Sequence, residues 1–317
     1  WEQYDHMVMG DTIQRPGGDA AIVRIHGTNK GVAISCDVTP RYVLADPAMG
    51  TKQAVIETWR NLTSVGADPL AITDNLNYGN PERPEIMGQF VESIQGMSEA
   101  CEKLAYPVVA GNVSLYNETN GIAIPPTPAI GGVGLVPDLT EIADLSLKAE
   151  GNELLLIGPE NGHLGQSLYQ QIIAGELKGA PPPVDLETEI AAGTVIRQLI
   201  RSKLATAVHD TSDGGLLVAI AEMCLASGVG ATLEPSNGDL PAHAIWFGED
   251  QGRYIVEVTP DTAAKVIGIC RDAGLHVRKI GHTGGDEIRI GDRDKISLTT
   301  LRTTHEGWMP NYMDGAA

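Results

Sequence analysis

Apolar runs of strand length alternate with helical stretches along most of this chain, and several runs stop at polar segments rich in Gly, Asn and Asp. That alternation restricts the fold to an α/β (α+β) class, because each strand needs sheet partners and the helices between must cover a sheet face. Ala20–Arg24 and Gly31–Cys36 read as strands. From Thr51 to Val65 a helix is expected, with Ala54, Val55, Thr58, Trp59, Leu62 and Val65 at helical spacing. Pro69–Thr73 is a strand, Asn75–Pro84 a polar loop and Glu85–Leu104 an amphipathic helix. Pro107–Ala110 is a strand that opens into Gly111-Asn112-Val113-Ser114, and Ala129–Val136 is one more.

The charged connector Pro137 to Gly151 marks a boundary, giving domains 1–138 and 139–317. Beyond it, Glu153–Gly158, Thr206–Val208 and Arg253–Val258 read as strands. Gln166–Ala174, Leu186–Ser202, Leu216–Ser227 and Thr262–Ala273 read as helices, and a β-rich tail follows.

Charge narrows the function classes. The 317 residues carry 41 acidic against 22 basic side chains, a formal net charge of -19. Nucleic acid and anionic membrane are therefore poor partners. A phosphate ligand would need backbone N–H groups, a few local cations or a divalent metal. Cys36, Cys101, Cys224 and Cys270 form no C-x-x-C pair and read as reduced thiols. No apolar run approaches the roughly 18 residues of a membrane span, and no signal peptide is visible. A cytoplasmic location is expected. The first residue is Trp1, so the chain reads as a piece of something longer.

Four segments carry candidate chemistry. Asp74 ends an apolar strand beside the Asn-rich loop, placed either for a nucleotide or metal contact or as a solvated turn acid. Gly111 lets backbone approach a ligand, Asn112 offers a neutral oxygen suited to Mg²⁺, and Ser114 offers a hydroxyl. In His209-Asp210-Thr211-Ser212-Asp213-Gly214-Gly215, Ser212 or Asp213 reads as a helix N-cap. The two carboxylates with paired glycines also read as a Mg–phosphate cradle. Phe247-Gly248-Glu249-Asp250-Gln251 is either a ligand-contacting turn or an ordinary acidic one. There is no Walker loop, kinase signature or glutaminase-like cysteine elbow.

Taken in order, Trp1-Glu-Gln-Tyr-Asp5, Gly66–Pro81, Gly111–Thr119, Pro126-Thr-Pro128, His209–Gly215 and Phe247–Gln251 resemble the C-terminal half of the phosphoribosylformylglycinamidine (FGAM) synthase family. The resemblance implies one aminoimidazole ribonucleotide synthetase-like unit: an N-terminal domain whose sheet joins a partner's to close a barrel, and a C-terminal α/β domain. It implies an ATP-dependent carbon–nitrogen ligase of purine biosynthesis. Such an enzyme converts formylglycinamide ribonucleotide, ATP and glutamine-derived ammonia to the amidine, ADP and phosphate, through an iminophosphate. The expected partners are the N-terminal half of the same enzyme, a glutaminase subunit and a small accessory subunit. A homodimer is expected for the isolated chain.

By the same resemblance, Asp74 and Gly111 contact ATP, Asn112 ligates Mg²⁺ and Ser114 contacts substrate. Lys52, Asp210, Asp213, Glu249 and Gln251 line a second, pseudo-symmetric auxiliary site. Asn61 stands where the synthetase relative carries an Asp metal ligand, which makes that second site look degenerate. The family's catalytic histidine, ATP-contacting lysine and substrate arginine lie in the half absent from this chain. The ending Glu306–Asp314, with no glutaminase domain after it, points to the form with a separate glutaminase. Two other readings are a free-standing kinase of the same superfold and a non-catalytic nucleotide-binding module. The Asn75–Pro81 segment speaks against the kinase.

Overall fold

The structure, a computed structural model, describes residues 10–235, 239–292 and 294–315; Trp1–Asp5 lies outside the described residues. The first sheet is built from β1 (Thr12–Gln14), β2 (Ala21–Arg24), β3 (Gly31–Asp37), β4 (Asp68–Asn77) and β5 (Val108–Ser114). After the small hairpin β6 (Glu118–Thr119) and β7 (Ile122–Ala123), β8 (Thr127–Val136) completes it. The strand order is β1-β2-β3-β8-β4-β5, so β5 is an edge. Pairing is antiparallel except between β4 and β5, which run parallel.

Helices α1 (Pro40–Ala45), α2 (Pro47–Ser64) and α3 (Pro84–Leu104) connect these strands. Helix α2 starts earlier than its apolar period indicates, because Asp46 accepts from the Met49 N–H at 2.9 Å and Pro47 fits the first turn. Every α2 residue from Gly50 to Ser64 is buried. Its apolar side joins Ile72, Met97, Ala100 and Ile130 in the first core. Its polar side is covered by the second half of the chain. On β8, buried residues alternate with half-buried ones along the whole strand, as expected of a sheet with one well-covered face. Along β5 all residues but the last are exposed, and Val109 is 69% exposed.

The second sheet comprises β9 (Glu153–Ile157), β10 (Ala207–Asp210), β11 (Ala231–Leu233), β12 (Tyr254–Val258), β13 (Val277–Thr283), β14 (Glu287–Ile290) and β15 (Asp294–Ser297). Their order is β10-β12-β9-β13-β11-β14-β15. The expected connector, Pro137 to Gly151, holds no helix or strand. Helices α4 (Leu186–Arg201) and α7 (Pro260–Asp272) cover one face. Helices α5 (Gly215–Ser227), α6 (Ala242–Phe247) and α8 (Leu298–Met313) contribute to the core on the other. Burial on both faces accounts for the apolar runs Leu154–Ile157 of β9 and Tyr254–Val256 of β12.

Three expectations need correction. The tail is not all β: Ser297 accepts from the Thr300 N–H at 3.1 Å and starts α8, whose Leu298 and Leu301 reach the core. The Gln166–Ala174 helix is reduced to a short turn containing a π segment, Gln170–Ala174. Neither Ser212 nor Asp213 caps α5. The cap is Gly214 at φ +81°, and its N–H donates to Glu249 at 2.8 Å.

Among the described residues, no helix is long and apolar enough to cross a membrane.

Candidate functional site

The first group lies on the parallel pair β4–β5. Asp74 stands opposite Gly111, Asn75 opposite Asn112 and Asn77 opposite Ser114. Asn75–Asn77, the start of the expected loop, and Gly111–Ser114 are thus strand, and the loop proper is shorter. Asn77 is held between two neighbours, pairing with Ser114 on one side and Thr127 on the other, and its side chain donates to the Asn75 carbonyl at 2.9 Å.

Register divides the four expected residues. Asp74 and Gly111 share the face that bears Ile72 and Leu76, whereas Asn112 and Ser114 belong to the opposite face. A Cβ on Gly111 would stand 2.4 Å from Asp74 Oδ1, so the carboxylate occupies the space that glycine leaves. Partial burial raises the pKa of Asp74. Asn112 is exposed, and Ser114 Oγ donates to Asn117 Oδ1 at 3.2 Å. The pair thus offers a carboxylate beside bare backbone on one face and an open carboxamide and a hydroxyl on the other, donor types that suit a nucleotide and a hard cation.

The second group sits where α1 and α2 meet β10 and the Phe247–Gln251 turn, and two arginines organise it. Arg60, fully buried on α2, donates to Glu189 at 2.9 Å, Gln251 at 3.0 Å and Asp210 at 3.3 Å, and also pairs with Glu57. Arg41 on α1 grips both oxygens of Asp213, at 2.6 and 3.0 Å, and reaches Glu249 at 3.0 Å. Glu249 also accepts from Tyr42 Oη and from the Leu168 and Gly214 N–H groups, both at 2.8 Å.

Asp250 next to it accepts three backbone N–H groups, from Asn161, Gly162 and His163, which identifies it as a loop anchor. Burial and the negative charge of Asp19 push the Asp210 carboxyl up to about 6, against Arg60 and His209. Burial likewise raises Asp37 and Glu57, with nearby carboxylates adding to it.

Of the five residues expected at the auxiliary site, the structure gathers Asp210, Asp213, Glu249 and Gln251. It does not bring Lys52 to them: Lys52 Nζ pairs with Glu99 on α3 at 2.7 Å. Asn61 does face this region, lining one cavity with Asp37, Glu57 and Asp210.

Sequence reasoning missed Arg41, Tyr42, Glu57, Arg60 and Glu189. The one available signal was Glu57 and Arg60, an i,i+3 ion pair on a helix otherwise rich in apolar residues. It is silent about partners that arrive from 129 and 150 positions away.

This fold matches known proteins. The N-terminal domain of AIR synthase related proteins matches residues 17–136, and their C-terminal domain matches residues 149–292. The chain belongs to the AIR synthase related family. Over all 317 residues it is 57% identical to phosphoribosylformylglycinamidine synthase subunit PurL of Bradyrhizobium sp. (strain BTAi1), of which it spans 43%. Among solved structures, PurLQS from Thermotoga maritima aligns at 27% identity and TM-score 0.63, over 90% of this chain and 40% of that one. T. maritima PurL complexed with AMPPCP aligns at 27% identity and TM-score 0.62, over 90% and 40%.

Proposed function

We propose that this chain is the C-terminal half of an FGAM synthase, the ATP-dependent ligase of purine biosynthesis that turns an amide into an amidine. It acts in the cytoplasm and divides into domains near residues 138 and 139. The observation that carries this reading is the 57% identity to a PurL subunit along the whole chain. The AMPPCP held by a structural relative, an ATP analogue, supports nucleotide binding.

In this reading β4–β5 supplies half of a catalytic site. Asp74 and Gly111 receive ATP, Asn112 its Mg²⁺ and Ser114 the ribonucleotide. When bound, Mg²⁺ neutralises phosphate charge that an acidic chain would otherwise repel. Residues of the preceding half complete the site, a separate glutaminase subunit delivers ammonia, and a small accessory subunit joins them in the complex. The role of the present residues is to position the nucleotide, which is a large part of phosphoryl-transfer catalysis.

In the full-length enzyme, Asp74→Ala and Asn112→Ala should each lower ribonucleotide-dependent ADP release by about 10²-fold, with unchanged folding by circular dichroism. Wild-type kcat and KM for ATP in either variant would remove that residue from the site.

The exposed edge supports a further expectation. Val109 at 69%, Val113 at 51% and Leu70 at 51% exposure leave apolar surface on β4–β5 that soluble monomers seldom keep open. The matching sheet of the preceding half would cover it, and in the isolated chain a second copy would do so about a two-fold axis. Sedimentation equilibrium of the isolated chain should give twice the monomer mass at micromolar concentration. A monomer there would reject the self-pairing.

A further inference from the structure

The Ser114 hydroxyl is held by Asn117, which stands in the link between β5 and β6. That link turns back onto β4. Tyr116 takes φ +60°, and its N–H donates to the Gly79 carbonyl at 2.9 Å. The Asn117 N–H donates to the Tyr78 carbonyl at 3.1 Å, and the Tyr78 N–H donates to the Ser114 carbonyl at 3.0 Å. A tyrosine seldom enters the left-handed region, and here these backbone bonds hold it there. The turn brings the Asn117 carboxamide, half-buried, to the paired ends of β4 and β5.

Two carbonyls fix which way that carboxamide points. Asn117 Nδ2 donates to the Ser114 carbonyl at 2.8 Å and to the Tyr78 carbonyl at 3.0 Å. Turned over, the carboxamide would set its own oxygen against two carbonyl oxygens with no proton between them. Asn117 Oδ1 therefore faces Ser114 Oγ, 3.2 Å away, and an amide oxygen can only accept. A serine hydroxyl has one proton, and Asn117 takes it. Ser114 keeps only its lone pairs for a ligand on the face it shares with Asn112. The oxygens of an ionised phosphate would meet it lone pair to lone pair. A ribose hydroxyl or an amide N–H would meet it as a donor.

We infer that Asn117 is a positioning residue that holds the Ser114 hydroxyl as an acceptor, so that Ser114 reads an O–H or N–H donor of the ribonucleotide and not its phosphate. The inference rests on the assignment of Ser114 to the ribonucleotide made above, and adds which part of that molecule the contact selects. The hydroxyl could turn its proton to a phosphate only by leaving Asn117 Oδ1 without a donor at a half-buried strand end, and a polar group stripped of its partner there costs free energy.

Steady-state kinetics of the full-length enzyme that contains this chain test both parts. Ser114→Ala and Asn117→Ala should each raise the KM for the ribonucleotide about 10-fold, the effect of one hydrogen bond. Turnover at saturation should change little, because the contact is made in ground and transition states alike. The double variant should be no worse than Ser114→Ala, since Asn117 acts through the serine. Asn117→Asp keeps an acceptor for the serine proton but cannot donate to the carbonyls, so it should melt lower than wild type yet recover most of the affinity lost in Asn117→Ala. Ribonucleotide analogues lacking the 2′-hydroxyl, the 3′-hydroxyl or one amide N–H identify the donor without altering Asn117. Removing the group that Ser114 reads should raise KM about 10-fold in wild type and leave Ser114→Ala unaffected. Wild-type KM in Ser114→Ala would take the serine out of the site, and the assignment on which the inference rests would fall with it. An impaired Ser114→Ala together with a further loss in the double variant, or equal KM in Asn117→Ala and Asn117→Asp, would reduce Asn117 to a brace of the turn. Analogue penalties that match in wild type and Ser114→Ala would show that the serine reads no donor.

Discussion

Arg60→Met is expected to destabilise the protein by about 3–5 kcal/mol, the usual consequence of removing one member of a buried charge network. The guanidinium is wholly buried and is shared by Glu57, Glu189, Asp210 and Gln251. Methionine fills much of the volume, so the loss comes from carboxylates left without a cation rather than from a cavity. Arg60→Lys should recover only part of it, because an ammonium cannot serve four partners spread around a planar fork.

The deficit should also depend on pH. The folded-state pKa of Asp210 is raised to about 6 from 3.8 even with Arg60 present, so the folded state holds a proton that the unfolded chain releases. A raised carboxyl pKa lowers stability as pH climbs from about 4 through 6, with the full cost above that. Losing Arg60 raises the pKa further and widens the window. The stability gap between Arg60→Met and wild type should therefore shrink on going from pH 8 to pH 5. Urea midpoints at the two pH values measure it. A variant as stable as wild type at pH 8 would show that the network carries little net energy.

Gly111→Ala in the full-length enzyme is expected to lower ATP-dependent turnover by about 10²-fold or more while leaving the melting temperature nearly unchanged. The added Cβ would fall 2.4 Å from Asp74 Oδ1 and 2.6 Å from its Oδ2. Only the end of a flexible side chain has to yield, and Gly111 itself lies on an exposed edge strand, so the cost in stability is small. The carboxylate nevertheless leaves its place, and misplacing a positioning group by about 1 Å can cost about 10²-fold in rate. Asp74→Asn in the same assay separates position from charge, since it keeps the shape. Wild-type turnover in Gly111→Ala would mean that the seat of Asp74 is irrelevant to the chemistry.

Both networks were partly legible from the sequence, for different reasons. Asp74, Gly111 and Asn112 were visible because strand ends with Gly, Asn and Asp are unusual and because their order resembles a family. Their division between two faces was not visible, because it depends on which residue of β4 stands opposite which residue of β5. A polar stretch such as Asn75–Asn77 reads as loop until neighbours on both sides satisfy its backbone.

Local pattern alone determined the α/β alternation, the long helices α2 and α3, the apolar strands β9 and β12 and the connector between the sheets, because spacing of apolar residues along a chain is a local property. Tertiary structure alone decided what covers the polar side of α2. Gln53, Glu57, Arg60 and Asn61 share one side of the helix, where polar side chains would ordinarily meet water, yet all four are buried. Residues from the second sheet and its helices take the place of water there, and a charge can be buried only when such distant partners arrive together. For the same reason Lys52 turned to Glu99, while Arg41 and Arg60, not singled out by any motif, became the centres of the second site.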